Sequence, residues 1–205
     1  MTTPRPLVHL GFTKERFPAG VHICQIFSED DEREEALYQY VLSGIDSRER
    51  TACFSDKAMP SQMESLLARH GKSFADLCSA GALTLAATEE VYFKDNRFDP
   101  DRMVEVLTRY HDESQQGGFP AARVIGEMSP AVRHVSGGSR LLEYESKVSM
   151  LLRTHPVTCV CQYDARSFDG ATIMDVLKVH PLMVLRGTVV RNPFFIPPEV
   201  FLGRS

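Results

Sequence analysis

A few polar residues stand at positions where chemistry, rather than plain solvation, is one of the readings. Glu127 closes the apolar run Arg123-Val124-Ile125-Gly126 inside the segment GEMSPAV. A carboxylate there is either a solvated loop acid or a ligand-facing or helix-capping acid whose pKa burial raises. Gln162, Tyr163 and Asp164 close a second apolar run in CVCQYDARSF. Adjacent strand residues point to opposite faces, so Gln162 or Asp164 reads as the pocket group and Tyr163 as packing beneath a helix. The plainer reading makes all three ordinary strand-end residues. His22, in VHICQIF, shares a face with Cys24 and Ile26, as a hydrogen-bonded core histidine would. His180 follows Ile173 and Leu177 on an inward helical face and precedes Pro181, which suits an imidazole capping that helix. Glu145 is the odd one: on a helical wheel it falls between Leu141 and Leu152, inside the apolar stripe, whereas Glu143 falls on the solvated side. A buried carboxylate requires a partner, and Arg123, Arg33 or a histidine would serve.

These groups offer acids and bases without a recognisable reaction. No nucleophile elbow, HExxH or known Ser/His/Asp spacing is present, so no catalytic residue is assigned. The cysteines (Cys24, Cys53, Cys78, Cys159, Cys161) contain no CxxC pair, and Cys159 and Cys161 alternate with Val160 at strand period. Paired-ligand spacing is therefore missing, and neither a zinc site nor a cofactor is expected. An odd number of cysteines in apolar runs fits a reducing, cytoplasmic compartment.

The elements that would position these residues alternate in type. Short β-rich runs lie at 21–27, 51–55, 82–86, 122–128 and 157–163, with helical patterns between them. Ser28 and Asp31 resemble a capping box, after which Arg33, Leu37, Tyr40, Val41 and Gly44 share a face. Asp99-Pro100 opens a helix that lasts to Gly117-Gly118, and Gly137-Gly138-Ser139 opens another that Pro156 closes. Asp169 caps a shorter helix. Residues 183–190 read as two strands turning at Arg186-Gly187. The alternation predicts an α/β fold of three layers, a mostly parallel central sheet with helices on both faces and a small C-terminal β-hairpin. Residues 1–18, with three prolines, read as a flexible arm, and 19–205 as one domain. Ligands of such sheets sit beyond the carboxyl ends of the strands.

The first strand-to-helix turn is where a phosphate loop would lie. It reads Phe27-Ser28-Glu29-Asp30-Asp31-Glu32, with four acids, no glycine and no lysine. Phosphate binding there needs glycine backbone and a lysine, and acids at the positive end of a helix repel a triphosphate. A nucleotide would have to find its phosphate contacts elsewhere, at Lys57, Lys94 or Arg97. The net charge of −4 leaves no basic footprint for nucleic acid or an acidic membrane, and no run has the length of a membrane span.

Taken together, GVHICQIFSEDDEREEAL, FKDNRFDPDRM, RVIGEMSPAV, LLEYESKV, PVTCVCQYDARSF, VLKVHPLMVLRG and RNPFFIPPEVFL resemble the MEDS family of sensory domains of methanogens, methylotrophs and a dichloromethane-responsive regulator. The resemblance implies a RecA/KaiC-like fold that has lost its phosphate loop, and a role in sensing small organic ligands. It implies that His22, Glu127, Glu145, Gln162, Tyr163 and His180 line or support the pocket. No output module is expected within 205 residues, so the signal would pass to a partner such as a histidine kinase or a transcription factor, or between the subunits of a homodimer. A residual nucleotide-binding protein or ATPase-like enzyme, and a ligand-free interaction module, are the alternatives.

Overall fold

A computed structural model describes residues 4–203. Among them, seven strands form one sheet, in the order β5 (Leu83–Ala86), β4 (Arg50–Phe54), β6 (Ala122–Glu127), β7 (Val157–Asp164), β3 (His22–Phe27), β8 (Leu182–Leu185), β9 (Thr188–Arg191). All neighbours run parallel except β9, which returns antiparallel beside β8. The β8–β9 turn falls at Arg186-Gly187, both in the left-handed region (φ 49° and 73°), which glycine adopts at no steric cost.

Helices cover both faces. α1 (Asp30–Asp46) and α2 (Pro60–Arg69) lie on one, with Ile23, Leu37, Val41, Met63, Leu67, Ile125 and Val160 forming their core. α5 (Pro100–Gln116), α6 (Leu141–Leu151) and α7 (Gly170–Val179) lie on the other, over Cys24, Met103, Leu107, Val124, Tyr144, Val148, Cys159 and Val176. Each strand feeds both cores because its side chains alternate: Ile23 and Val160 go to one, Cys24 and Cys159 to the other. Three-layer parallel α/β architecture is therefore observed as expected, hairpin included. Asp99 caps α5, accepting from the amides of Asp101 and Arg102, and Asp169 caps α7, accepting from that of Thr172.

Three readings are corrected. Residues 4–18 are not a loose arm: β1 (Leu7–His9) and β2 (Arg16–Pro18) pair antiparallel. Val8 and Leu10 are buried on the α1 side, and Ser43 Oγ donates to the His9 carbonyl at 2.6 Å, so apolar burial outweighs the prolines. Residues 1–3 of that arm lie outside the described residues. Ser28 does not cap α1 either; the N-cap is Glu29, without a side-chain cap hydrogen bond, and Asp30, Asp31 and Glu32 occupy the first turn. Short helices α3 (Phe74–Ser79), α4 (Thr88–Tyr92) and α8 (Pro198–Leu202) were not expected; one or two turns leave no periodic signal to read.

Candidate functional site

Two polar clusters hang from β7 and its neighbours, one on each face of the sheet. The first forms the rim at the carboxyl ends of β3, β4, β6 and β7 on the α1 side. Ser55 Oγ donates to Glu127 Oε2 at 2.8 Å. Lys57 Nζ stands 3.4 Å from both Glu127 Oε1 and Asp30 Oδ1, and 3.5 Å from Asp164 Oδ2. Arg166 clamps Asp164 through Nε at 2.9 Å and Nη2 at 2.8 Å, and the same Nη2 reaches Asp30 at 2.8 Å. Hydrogen bonds from Arg166 hold the carboxyls of Asp164 and Asp30 below their usual range. Lys57 is raised: partial burial acts downward, and Glu127, Asp30 and Asp164 outweigh it.

Beneath this rim, Gln162 Nε2 donates to Gln25 Oε1 at 2.9 Å and to the Arg33 carbonyl at 3.1 Å. Gln25 Nε2 in turn donates to the Glu32 carbonyl at 3.4 Å. Arg33, on the buried face of α1, pairs with Glu34 at 3.1 Å and lies 4.0 Å from Glu127 Oε2. Two buried atoms of this layer, Arg33 Nε and Gln162 Oε1, have no hydrogen-bond partner. Beside Gln25 opens a cavity of about 480 Å³ between α1 and the β8–β9 hairpin, lined by Phe12, Asp31, Glu32, Glu35, Gln39 and Arg186 among others.

The second cluster is buried on the opposite face, between β3, β7, α6 and α7. Glu145 projects from α6 into the sheet, and its carboxylate is surrounded. Tyr163 donates its hydroxyl to Oε1. Around Oε2 stand His22 Nε2 at 3.2 Å, His180 Nε2 at 3.5 Å and Cys161 Sγ at 3.7 Å. Cys161 Sγ also lies 3.4 Å from His22 Nε2, and the imidazoles of His22 and His180 tilt together with centroids 4.3 Å apart. The remote ring nitrogens are anchored: His22 Nδ1 to Ser149 Oγ at 2.8 Å, and His180 Nδ1 to the Val176 carbonyl at 2.8 Å. Burial, aided by His180, lowers His22 to about 4, leaving it neutral near pH 7. Burial alone would raise Glu145, but His180 and His22 outweigh it and hold the carboxyl well below the usual range. Burial and the Glu145 charge push the Cys161 thiol far up.

The six residues named from sequence thus divide. His22, Glu145, Tyr163 and His180 meet in one cluster; Glu127 and Gln162 belong to the other. One pocket lined by all six does not exist, because strand alternation sends Gln162 and Tyr163 to opposite faces. Glu145 takes histidines as its partners, while Arg123 pairs with Glu49 and Arg33 turns to Glu34 and Glu127. His180 does cap α7, through Nδ1 to Val176. Missed from sequence were Cys161, Ser55, Arg166 and Gln25, and Lys57 was named only as a phosphate contact. Cys161 was legible in principle, since it shares strand parity with Tyr163.

Missing CxxC spacing says nothing of donors that converge from separate elements. His22, Glu145, Cys161 and His180 come from four separate elements, yet their donor atoms lie within 4.8 Å of one another, a set of the kind that ligates transition metals. A second convergent group, His111, Asp112 and His155, lies nearer the surface. Among the described residues no helix is long and apolar enough to cross a membrane.

Comparison with known structures places this architecture. The flagellar accessory protein FlaH from Methanocaldococcus jannaschii superposes with a TM-score of 0.61 at 9% identity, over 84% of this chain and 76% of that one. A KaiC-like protein from the hyperthermophilic archaeon Pyrococcus horikoshii OT3 superposes with a TM-score of 0.58 at 13% identity, over 88% and 80%. At such identities the likeness is one of fold. No curated protein matches in sequence. Residues 21–181 match the family described as MEDS, the methanogen/methylotroph, DcmR sensory domain, and that span carries both polar clusters. On a RecA/KaiC-like sheet whose first helix begins in acids rather than glycines, the chain belongs to the MEDS family of sensory domains.

Proposed function

We propose that this domain senses a small neutral or cationic organic molecule, without hydrolysing nucleotide, and signals through a partner protein such as a histidine kinase or a transcription factor. The observation that carries the reading is the cavity beside Gln25, whose walls bring Asp31, Glu32 and Glu35 together against a single cation, Arg186. It opens between the first turns of α1 and the carboxyl end of β8, toward the edge of the sheet. Its charge suits an amine or a hydroxylated molecule and opposes a phosphate. Of the cations named for a nucleotide, Lys57 is already bound to Asp30, Asp164 and Glu127, and its rim neighbour Arg166 to Asp30 and Asp164. Occupancy of the cavity would tie the hairpin to α1, giving a partner a changed surface to read.

A thermal-shift screen of small amines, alcohols and halogenated hydrocarbons tests this. A true ligand at a hundred times its Kd stabilises by about 2.7 kcal/mol, and the charge-reversing pair Glu32→Lys, Glu35→Lys abolishes the shift for a cationic ligand. A screen without a shift, or a shift indifferent to those changes, rejects the cavity. Heat from ATP with magnesium at millimolar concentration in calorimetry would favour the nucleotide-binding alternative instead.

A further inference from the structure

No lysine or arginine stands among the side chains that surround Glu145. The Val176 carbonyl can only accept, so His180 Nδ1 carries the hydrogen of that 2.8 Å contact. Ser149 Oγ donates to the Val179 carbonyl at 3.4 Å, so it accepts from His22 Nδ1. With Nδ1 anchored on both rings, each imidazole turns its Nε2 toward Glu145 Oε2. These two nitrogens, the carboxylate and the Cys161 sulfur converge in one interior space, and His180 Nε2 has no hydrogen-bond partner there. A carboxylate in a low-dielectric interior calls for a positive centre beside it.

The spacing says what kind of centre. Metal–ligand bonds of about 2.0–2.3 Å in a tetrahedron set donor atoms roughly 3.3–3.8 Å apart. The separations here are 3.2, 3.4, 3.5 and 3.7 Å. We infer that His22 Nε2, Glu145 Oε2, Cys161 Sγ and His180 Nε2 form a binding site for one borderline-soft divalent metal ion, with zinc best matched to two imidazoles, one carboxylate and one thiolate. Anchoring of the remote ring nitrogens by Ser149 and Val176 is the arrangement that fixes metal-binding histidines in orientation. Binding releases the thiol proton of Cys161, which the cation replaces. A cavity of about 320 Å³ whose lining includes His22 and Ser149 lies beside the cluster. This site and the cavity beside Gln25 lie on opposite faces, so either proposal stands or falls without the other.

Cobalt(II) is the probe. The metal-free protein should take one equivalent with tetrahedral visible absorption and a sulfur-to-cobalt charge-transfer band, and zinc should displace it and raise the melting temperature. Cys161→Ala should lose the charge-transfer band while keeping its circular dichroism. Ser149→Ala should keep one equivalent but bind zinc ~10–100-fold more weakly, as loss of an outer partner does. His155→Ala, which dismantles the surface group, should keep the band. Absence of stoichiometric cobalt binding by the wild type, a band unchanged in Cys161→Ala, or binding lost in His155→Ala would each overturn the assignment.

Discussion

The two faces of the central sheet handle charge in opposite ways. On the α1 side, carboxylates stand at a rim where Lys57 and Arg166 are partly exposed and each serves more than one acid. Deeper on the same side, Arg123 is wholly buried with Glu49, at 2.7 Å, and spends another hydrogen bond on the Tyr40 carbonyl. On the α6–α7 side, Glu145 is equally buried but has no lysine or arginine at all; its neighbours are imidazoles, a thiol and a phenol. Where a permanent cation is built in, the charge is structural. Where imidazoles, a thiol and a phenol converge instead, no permanent cation is built in, and that is the place the inferred metal ion would fill.

The largest effect that would test this contrast lies at the fixed pair. Arg123→Met strands Glu49 in the interior and should cost about 3–5 kcal/mol in urea denaturation; a loss below 1 kcal/mol would mean the pair is not the structural element described. Next is pH. Folded His22 takes a proton only near 4, whereas unfolded histidine does so near 6.5. Between those values the unfolded state binds more protons, so metal-free protein should lose stability as pH falls from 6.5 to 4, on the order of 1 kcal/mol per pH unit. Glu145, Cys161, His180 and Ser149 face His22, and the depressed Glu145 carboxyl adds a loss of the same sign at still lower pH. A flat profile across that window in chemical denaturation would show that buried His22 is not neutral.

Smaller effects sharpen the picture. Lys57→Met at the half-exposed rim should cost no more than about 1 kcal/mol and should matter less in high salt. Smallest in stability is Glu145→Gln. Its amide keeps an oxygen to accept from Tyr163 but gives up a charge that His180 and His22 favour, so the metal-free variant should lose no more than about 1 kcal/mol at pH 7. A loss as large as that of Arg123→Met would erase the distinction between the two faces.

The sheet was legible because its strands are short, apolar and separated by well-punctuated helices: Asp99-Pro100 and Asp169 announce their helices, and Arg186-Gly187 announces its turn. Glu145 was legible as misplaced, since a charge in an apolar stripe violates the helix pattern. Its partners were not, because His22, Cys161 and His180 are distant in sequence, and no short motif encodes a site assembled from one residue per element. The hairpin at 7–18 was hidden for another reason. Its strands are three residues each, and their burial depends on the surface of α1. Lys57 and Arg166 were overlooked as rim residues because nothing local distinguishes a cation committed to three acids from one in water.

Strand β7 has a consequence of its own. Gln162 faces the cavity side while Cys161 and Tyr163, its immediate neighbours, face the buried cluster, so three consecutive residues form a party wall between the two proposed binding spaces. Gln25 and His22 repeat the arrangement on β3, paired in register with Gln162 and Cys159. A wall shared in this way obliges reciprocity: if filling one room alters the affinity of the other by some factor, the second occupant returns the same factor to the first. A domain built so could report on two chemicals at once, each setting the threshold at which the other is noticed.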